Sequence, residues 1–100
     1  MKFKLSKKAL KDIEDIWLFT VENWSLIQAD RYFNSIFEEI EFIAENPLSG
    51  KDYNHVRKNY RCSKVQSHLI FYRVTSNKKN EVEIIRVLHQ RMDIENTLRE

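Results

Sequence analysis

The sequence predicts an α+β fold, in which an N-terminal strand and an antiparallel helical hairpin pack on a small, mainly antiparallel sheet. Two long stretches in the first half carry apolar residues at three- and four-residue spacing, the pattern of amphipathic helices. Three shorter runs in the second half are rich in β-branched and aromatic residues, the composition of strands. Because the predicted order is β-α-α-β-β-β, with helices in one block, we expect the helices to cover one face of the sheet.

Composition indicates a packed globular chain. The 100 residues are 42% hydrophobic and 32% charged but include only one Gly and one Pro, which excludes a low-complexity or disordered chain. We expect one domain over residues 1–100. The longest uncharged apolar run, residues 16–21, is far shorter than the roughly 20 residues that span a bilayer, and the basic N-terminus has no apolar signal segment. Cys62 is the single cysteine, so we expect no internal disulfide and a cytoplasmic protein without membrane contact.

The first two predicted elements are a strand and a helix. Residues 2–5 alternate between basic and apolar side chains, and Ser6 is a favourable N-cap for the helix that follows. The inward-facing positions of that helix are Ala9, Leu10, Ile13, Ile16, Trp17, Thr20 and Trp24. Large aromatic side chains are mostly buried, so we expect core packing for Trp17, Trp24, Phe33, Phe37 and Phe71.

A second helix begins near Ser25. The stretch from Ser25 to Gln28 fits a capping box, in which the serine oxygen and the glutamine side chain satisfy backbone donors at a helix start. The helix ends at Asn46-Pro47, because a proline ring disfavours helical backbone in the residue before it. The very short connection between the two helices predicts that they lie antiparallel as a hairpin.

Three strands are predicted at residues 60–65, 68–75 and 82–88. A turn and an extended polar loop precede them, from Pro47 through Asn59. Gln66-Ser67 predicts either a tight hairpin or a slightly wider loop, because neither residue is the Gly or Asn that primed turns favour.

The last strand and the tail have their own pattern. Alternation places Ile85 and Val87 on one face of the last strand, and places Ile84, Arg86 and Leu88 on the other. The chain then continues into a polar tail of His89, Gln90, Arg91 and Asp93, where Asp93 is positioned to cap a short C-terminal helix.

Charge is unevenly distributed along the chain. Residues 1–50 carry six Lys or Arg against nine Asp or Glu, whereas residues 51–100 carry eleven against six. No acidic residue lies between Tyr53 and Asn80. We expect this half to present a positive surface, which attracts either phosphate groups or an acidic protein.

The ordered motifs resemble those of a known toxin family. They comprise the first-helix pattern of Ser6, Ala9, Asp12, Ile16, Trp17, Thr20 and Trp24, then ADRY at residues 29–32, AENP at 44–47, Gly50, Arg57, Tyr60, Arg61, HLIFYRV at 68–74 and IIRVLHQRMD at 84–93. Together they are similar to the ParE toxins of the RelE/ParE superfamily and cover nearly the whole chain. The resemblance implies the toxin half of a type II toxin–antitoxin pair, with a ParD-like antitoxin as partner and no cofactor.

Two activities occur in that superfamily. RelE-like members cleave messenger RNA on the ribosome, whereas ParE-like members poison DNA gyrase and are not known to catalyse a reaction. No Tyr follows Tyr72 and no Lys follows Lys79, which favours the gyrase-directed branch. RNA cleavage, with His89 as base and Arg86 and Arg91 gripping the phosphate, stays open as the alternative, as does an inactive toxin that only binds its antitoxin.

The same resemblance implies a set of candidate binding residues. Those expected to contact the target are Arg61, Arg73, Arg86, His89 and Arg91, and those expected to contact the antitoxin are Trp24, Tyr32, Tyr60 and Phe71. We expect the antitoxin to occupy the groove between the helical hairpin and the sheet.

Structural roles are the alternative for each candidate. Arg73 and Arg86 can be ion-paired with Glu83 or with the C-terminal acids, and His89 can hydrogen-bond to the tail. Cys62 is expected to be a small buried hydrophobic residue. The spacing of Cys62 and the three histidines does not predict a metal site.

Overall fold

The computed structural model describes residues 2–75 and 81–99 and confirms the predicted α+β fold. Its elements are β1 (Lys2–Leu5), α1 (Lys7–Asn23), α2 (Leu26–Glu45), β2 (Lys51–Asp52), β3 (Arg61–Val65), β4 (His68–Val74), β5 (Glu81–His89) and α3 (Ile94–Arg99). The sequence also predicts a loop at residues 76–81 that connects the last two strands, and most of this loop lies outside the described residues. Within the described ranges, none of the helices has the length and apolar content needed to cross a bilayer.

The five strands form one sheet in the order β1-β5-β4-β3-β2. β1 runs parallel to β5, and the other pairs are antiparallel, so the mainly antiparallel sheet is as predicted. The strand β2 lies in the segment predicted to be a loop, where Lys51 pairs with Cys62 and Asp52 with Arg61. Two residues are too few to show the alternation that signals a strand.

The serine N-caps predicted for the two long helices are present. Ser6 Oγ accepts a hydrogen bond from the Ala9 amide at 2.9 Å, and Ser25 Oγ accepts one from the Gln28 amide at 3.0 Å. Each serine satisfies a backbone N–H that the first helical turn leaves without a partner. Ser6 Oγ also donates to the Ile85 carbonyl at 2.8 Å, so the first cap ties α1 to β5.

The main core lies between the helical hairpin and the sheet. Its fully buried members include Ile13, Ile36, Ile40, Ile70 and Tyr72. At roughly 1.5–3 kcal/mol for each buried aliphatic side chain, this interface supplies much of the folding free energy. We call it the helix-side core.

A second core covers the opposite face of the sheet. Phe71 and Leu88 from the strands pack there against Val56 and Tyr60 of the loop after β2 and against Leu98 of α3. Phe71 lies between Ile70 and Tyr72 in β4, and successive side chains of a strand point to opposite faces. The helical hairpin therefore covers one face, as predicted, while the loop and α3 cover the other, which was not predicted.

The predicted faces of β5 are wrong because the strand contains an irregularity. Phe71 pairs with Arg86 but Tyr72 pairs with Ile84, so Ile85 is an extra residue without a partner on β4. A β-bulge of this kind shifts the alternation by one position. Val87 consequently joins Ile84 in the helix-side core, and Ile85 packs against the second core.

A buried tyrosine anchors the connection from α2 to β2. Tyr72 Oη donates to the Pro47 carbonyl at 3.0 Å and accepts the Gly50 N–H at 2.8 Å. Arg61 Nη1 also donates to the Gly50 carbonyl at 2.8 Å. A Cβ atom at Gly50 would lie 2.3 Å from Tyr72 Oη, so a side chain at this position would clash with the tyrosine.

Candidate functional site: the hairpin groove

An open groove of about 750 Å³ lies where the helical hairpin passes the β3–β4 turn and the end of β5. We call it the hairpin groove. It is lined by Asp15, Ile16, Phe19, Thr20, Trp24, Gln28, Arg31, Tyr32, Ser35, Gln66, Ser67, His68 and His89. Apolar side chains from α1 thus meet polar side chains from α2 and the sheet across one concave surface.

The apolar part of the groove is unusually exposed. Trp24 is 69% exposed and Phe19 is 61% exposed. Trp24 follows the last residue of α1, at the tip of the hairpin, so it lies beyond the core although it is in phase with the buried face. The prediction that Trp24 packs in the core is therefore wrong, whereas its predicted role as a partner contact stays a prediction.

The floor of the groove contains a hydrogen-bonded histidine. His68 is the first residue of β4, and its Nδ1 is in hydrogen-bond contact with the Tyr32 hydroxyl, which also reaches the Val65 carbonyl at 3.1 Å. Burial, together with repulsion from nearby His89, lowers the pKa of His68 from 6.5 to about 4. The ring is therefore neutral at physiological pH.

His89 lies directly opposite His68. The two are paired across β4 and β5, and their rings are nearly perpendicular with centroids 5.2 Å apart. His89 Nδ1 accepts a hydrogen bond from the Arg91 amide at 3.1 Å, which fixes the start of the tail. The prediction that His89 hydrogen-bonds to the tail is confirmed.

Arg86 is held by an acid that the sequence did not indicate. Its Nε and Nη2 donate to the two carboxylate oxygens of Asp12 at 2.8 and 3.0 Å, and only 17% of its side chain is exposed. Asp12 is not among the predicted partners of Arg86, whereas the ion pair predicted between Arg73 and Glu83 is confirmed. The Arg86 side chain is therefore held inside the fold by Asp12, and it is not exposed for contact with a target.

Asp12 accepts a backbone hydrogen bond at the edge of β5. β1 ends at Leu5, which pairs with Ile84, and none of the strands in the described residues pairs with the rest of β5 on that side. The Asp12 carboxylate accepts the Val87 N–H at 2.9 Å and thereby satisfies one backbone donor of that open edge. The Asp12 carboxylate thus binds both the Arg86 guanidinium and a backbone N–H of the sheet.

The five predicted target-binding residues do not form one cluster. Arg61 and Arg73 lie at the end of the sheet opposite to His89, and the five-residue separation from His68 to Arg73 along β4 corresponds to about 17 Å. Arg61 donates to loop carbonyls, and Arg73 is ion-paired. The structure brings together only His89 and Arg91, and the Arg91 side chain is exposed.

The four predicted antitoxin-binding residues also separate. Trp24 and Tyr32 line the hairpin groove. Phe71 is fully buried and Tyr60 is 8% exposed, because both pack in the second core. A partner cannot contact Phe71 without opening the fold, so its assignment as a contact is corrected, and Tyr60 is likewise a packing residue.

Sequence reasoning missed several groove residues. Phe19 and Arg31 carry no signal beyond their positions on helix surfaces. His68 had a usable signal, because it begins one strand and His89 ends the next, and antiparallel pairing brings such positions together. Among residues 2–75 and 81–99, no three His, Cys, Asp or Glu side chains are placed to hold a metal ion.

Comparison with known proteins gives concordant results. Residues 3–94 match the family model described as ParE toxin of type II toxin-antitoxin system, parDE. The chain is 36% identical over 97 residues to Toxin ParE1 of Mycobacterium tuberculosis, covering 97% of each protein, and 41% identical over 91 residues to Toxin ParE1 of Caulobacter vibrioides, covering 91% of each. In fold it is similar to a chain of the chromosomal ParDE TA system from P. aeruginosa, with a TM-score of 0.72, 20% identity, and coverage of 89% of this chain and 95% of that one.

Proposed function

The chain belongs to the ParE toxin family of type II toxin–antitoxin systems, and from this premise we propose that it poisons DNA gyrase in the cytoplasm until a ParD-like antitoxin masks it. The proposed target contact is the end of the sheet where β5 leads into the tail. His89 and the exposed Arg91 side chain lie there, beside the hairpin groove.

The choice of target inhibition over RNA cleavage depends on one observation. A nuclease at this end of the sheet needs cations that are free to hold a phosphate in the transition state. Arg86, the arginine best placed on β5 for that task, is instead bidentate with Asp12 and mostly buried. A buried arginine that leaves its carboxylate partner costs several kcal/mol, which disfavours such a role.

The proposed antitoxin site is the hairpin groove. Phe19 and Trp24 expose large apolar surfaces that a partner would remove from water, and aromatic residues of this kind often dominate binding energy. An antitoxin segment in the groove would also cover His89 and crowd Arg91. The antitoxin and the target would then compete for neighbouring surfaces of the toxin.

The target is tested with purified components. The full chain is added to a gyrase supercoiling reaction and, separately, to a translation reaction with labelled messenger RNA. We expect loss of supercoiling or accumulation of gyrase-linked DNA breaks, with intact RNA. Arg91→Ala should weaken this inhibition, whereas Lys58→Ala, at an exposed lysine of the loop that covers the second core, should not. Specific RNA cuts, or no effect on either reaction, would refute the proposal.

The antitoxin site is tested with matched variants. Trp24→Ala should reduce affinity for a ParD-like antitoxin by about 30-fold, the effect of losing a hot spot worth about 2 kcal/mol. Leu48→Ala is the control, because Leu48 is 72% exposed but lies outside the groove. Circular dichroism confirms that both variants fold. Equal affinities for the two variants would place the antitoxin elsewhere.

A further inference from the structure

The hydrogen bond between His89 and Arg91 fixes one proton in the groove. Arg91 donates its backbone N–H to His89 Nδ1, so this ring nitrogen must carry a lone pair. A neutral imidazole has one N–H, and the proton of His89 therefore lies on Nε2. His89 is thus a hydrogen-bond donor at its remaining nitrogen.

Tyr32 fixes the opposite arrangement on His68. The tyrosine hydroxyl has one proton, and the Val65 carbonyl that it contacts can only accept. Both contacts of the hydroxyl are satisfied when His68 Nδ1–H donates to Tyr32 Oη and Tyr32 donates to Val65. The neutral state of the buried His68 ring leaves a lone pair on Nε2, so this nitrogen is an acceptor.

The two remaining nitrogens form a complementary pair. Within residues 2–75 and 81–99, neither His68 Nε2 nor His89 Nε2 has a hydrogen-bond partner, and no hydrogen bond joins the two rings. Both rings line the hairpin groove. The groove floor therefore carries one donor and one acceptor on two rings whose centroids are 5.2 Å apart.

We propose that this His68–His89 pair recognises the primary carboxamide of an Asn or Gln side chain on the antitoxin. This deepens the proposed function and rests on it. A primary carboxamide presents a C=O and an N–H on the same edge, so one group can meet both nitrogens. A trans peptide bond has its N–H and C=O on opposite edges and can meet only one of them.

Charged side chains fit the pair less well. A carboxylate has acceptors only and would face the His68 lone pair, whereas an ammonium or guanidinium has donors only and would face the His89 N–H. The charged side chains that line the groove, Arg31 and Asp15, have opposite signs, so the sign of the lining charge alone selects neither an anion nor a cation. An unmatched polar group at a desolvated site costs about 1–3 kcal/mol.

The proton positions and the preference are tested by NMR on the full chain with ¹⁵N-labelled histidine at neutral pH. His55→Asn, His68→Asn and His89→Asn assign the three rings, and the exposed His55 is the internal reference. We expect protons on Nε2 of His89 and on Nδ1 of His68. Acetamide should shift both rings, with an affinity at least about fivefold higher than that of acetate or N-methylacetamide, the effect of one hydrogen bond of about 1 kcal/mol.

The opposite outcomes overturn the proposal. A proton on His68 Nε2, equal affinities for acetamide and acetate, or shifts no larger than those of His55 would each do so. These measurements need neither gyrase nor antitoxin, so their failure is distinct from failure of the gyrase test.

The antitoxin itself gives the second test. Each Asn and Gln of a ParD-like antitoxin that neutralises the toxin is replaced by Asp or Glu, and affinities are measured against the natural toxin and His68→Asn. The His68→Asn variant keeps a donor for Tyr32 but removes the Nε2 acceptor, which is the atom that an introduced carboxylate would face. We expect one antitoxin position whose loss of about tenfold disappears against His68→Asn. If no position behaves in this way, the carboxamide assignment is wrong even when neutralisation holds.

Discussion

Asp12 and Arg86 are 74 positions apart in sequence, yet the Asp12 carboxylate accepts two hydrogen bonds from the Arg86 guanidinium at 2.8 and 3.0 Å. The Asp12 side chain is 14% exposed and the Arg86 side chain is 17% exposed. It joins the first helix to the strand that carries the candidate site. The position of His89, three residues after Arg86, therefore depends on a contact made near the start of the chain.

Removal of Asp12 should destabilise the protein. Asp12→Ala leaves the Arg86 charge and the Val87 N–H without this partner, which should cost about 2–3 kcal/mol in the free energy of unfolding. Asp15→Ala, on the same helix but in an exposed pair with Lys11, should cost less than about 0.5 kcal/mol. Urea unfolding measures both. Equal losses of stability in the two variants would show that the buried pair contributes no more than the exposed pair.

Tyr72 should be intolerant of losing its hydroxyl. Tyr72→Phe leaves the buried Gly50 N–H and the Pro47 carbonyl without their shared partner, at an expected cost of about 1–3 kcal/mol. Thermal unfolding should show a fall of several degrees or more, since 1 kcal/mol corresponds to about 4–8 °C in a domain of this size. Tyr53→Phe is the control, because Tyr53 lies at the margin of the second core. An unchanged melting temperature for Tyr72→Phe would contradict the anchoring role.

Replacement of Gln66 by glycine should stabilise the protein. The residue has a φ of 50° in the tight β3–β4 turn, and side chains make this left-handed backbone unfavourable by roughly 1–2 kcal/mol. Gln66→Gly should therefore raise the free energy of unfolding by about 1 kcal/mol, less the extra chain entropy of glycine. Ser67→Gly has no positive φ to relieve and should be neutral or destabilising. A Gln66→Gly protein less stable than Ser67→Gly would rule out strain at this turn.

His68 should make stability depend on pH. Its folded pKa of about 4 lies below the ordinary value of 6.5, so the unfolded chain binds a proton more readily than the folded one. The stabilising contribution is fully present above about pH 6.5 and is lost as the pH falls toward 4. The slope is at most about 1.4 kcal/mol per pH unit, and less here because the ring is only partly buried. His68→Asn keeps a donor for Tyr32 and should flatten this slope, whereas His55→Asn should not. Parallel curves for the natural protein and His68→Asn would contradict the assignment.

Sequence predicted the elements better than their faces. The helix starts at Ser6 and Ser25 were readable because capping is a local interaction, and the three long strands were readable from composition. The face of each side chain in β5 was not, since the extra residue at Ile85 is a property of pairing with β4. Trp24 shows the same limit in a helix, because its phase is that of the core but it follows the last residue of α1 at the hairpin tip and is exposed.

The candidate site was predictable in part. Trp24, Tyr32 and His89 do share one groove, but Arg86 was assigned to the target because its partner Asp12 is too distant in sequence to be recognised. Phe71 was assigned to the antitoxin because nothing in the composition of the loop after β2 or of the six-residue α3 indicated that they would cover the second face of the sheet. The pairing of Asp12 with Arg86 and the packing of the loop and α3 on the second face of the sheet are both consequences of tertiary structure.

Strand β4 supplies side chains to the cores on both faces of the sheet: Ile70 and Tyr72 on one side, and Phe71 on the other. Neither core can open without disturbing this central strand. The amide protons of residues 70–72 should therefore exchange with deuterium only when the whole chain unfolds, whereas those at the exposed hairpin tip exchange through local fluctuations. Slow exchange along β4 would mean that the toxin keeps its groove floor rigid while the surface above it remains free to adapt.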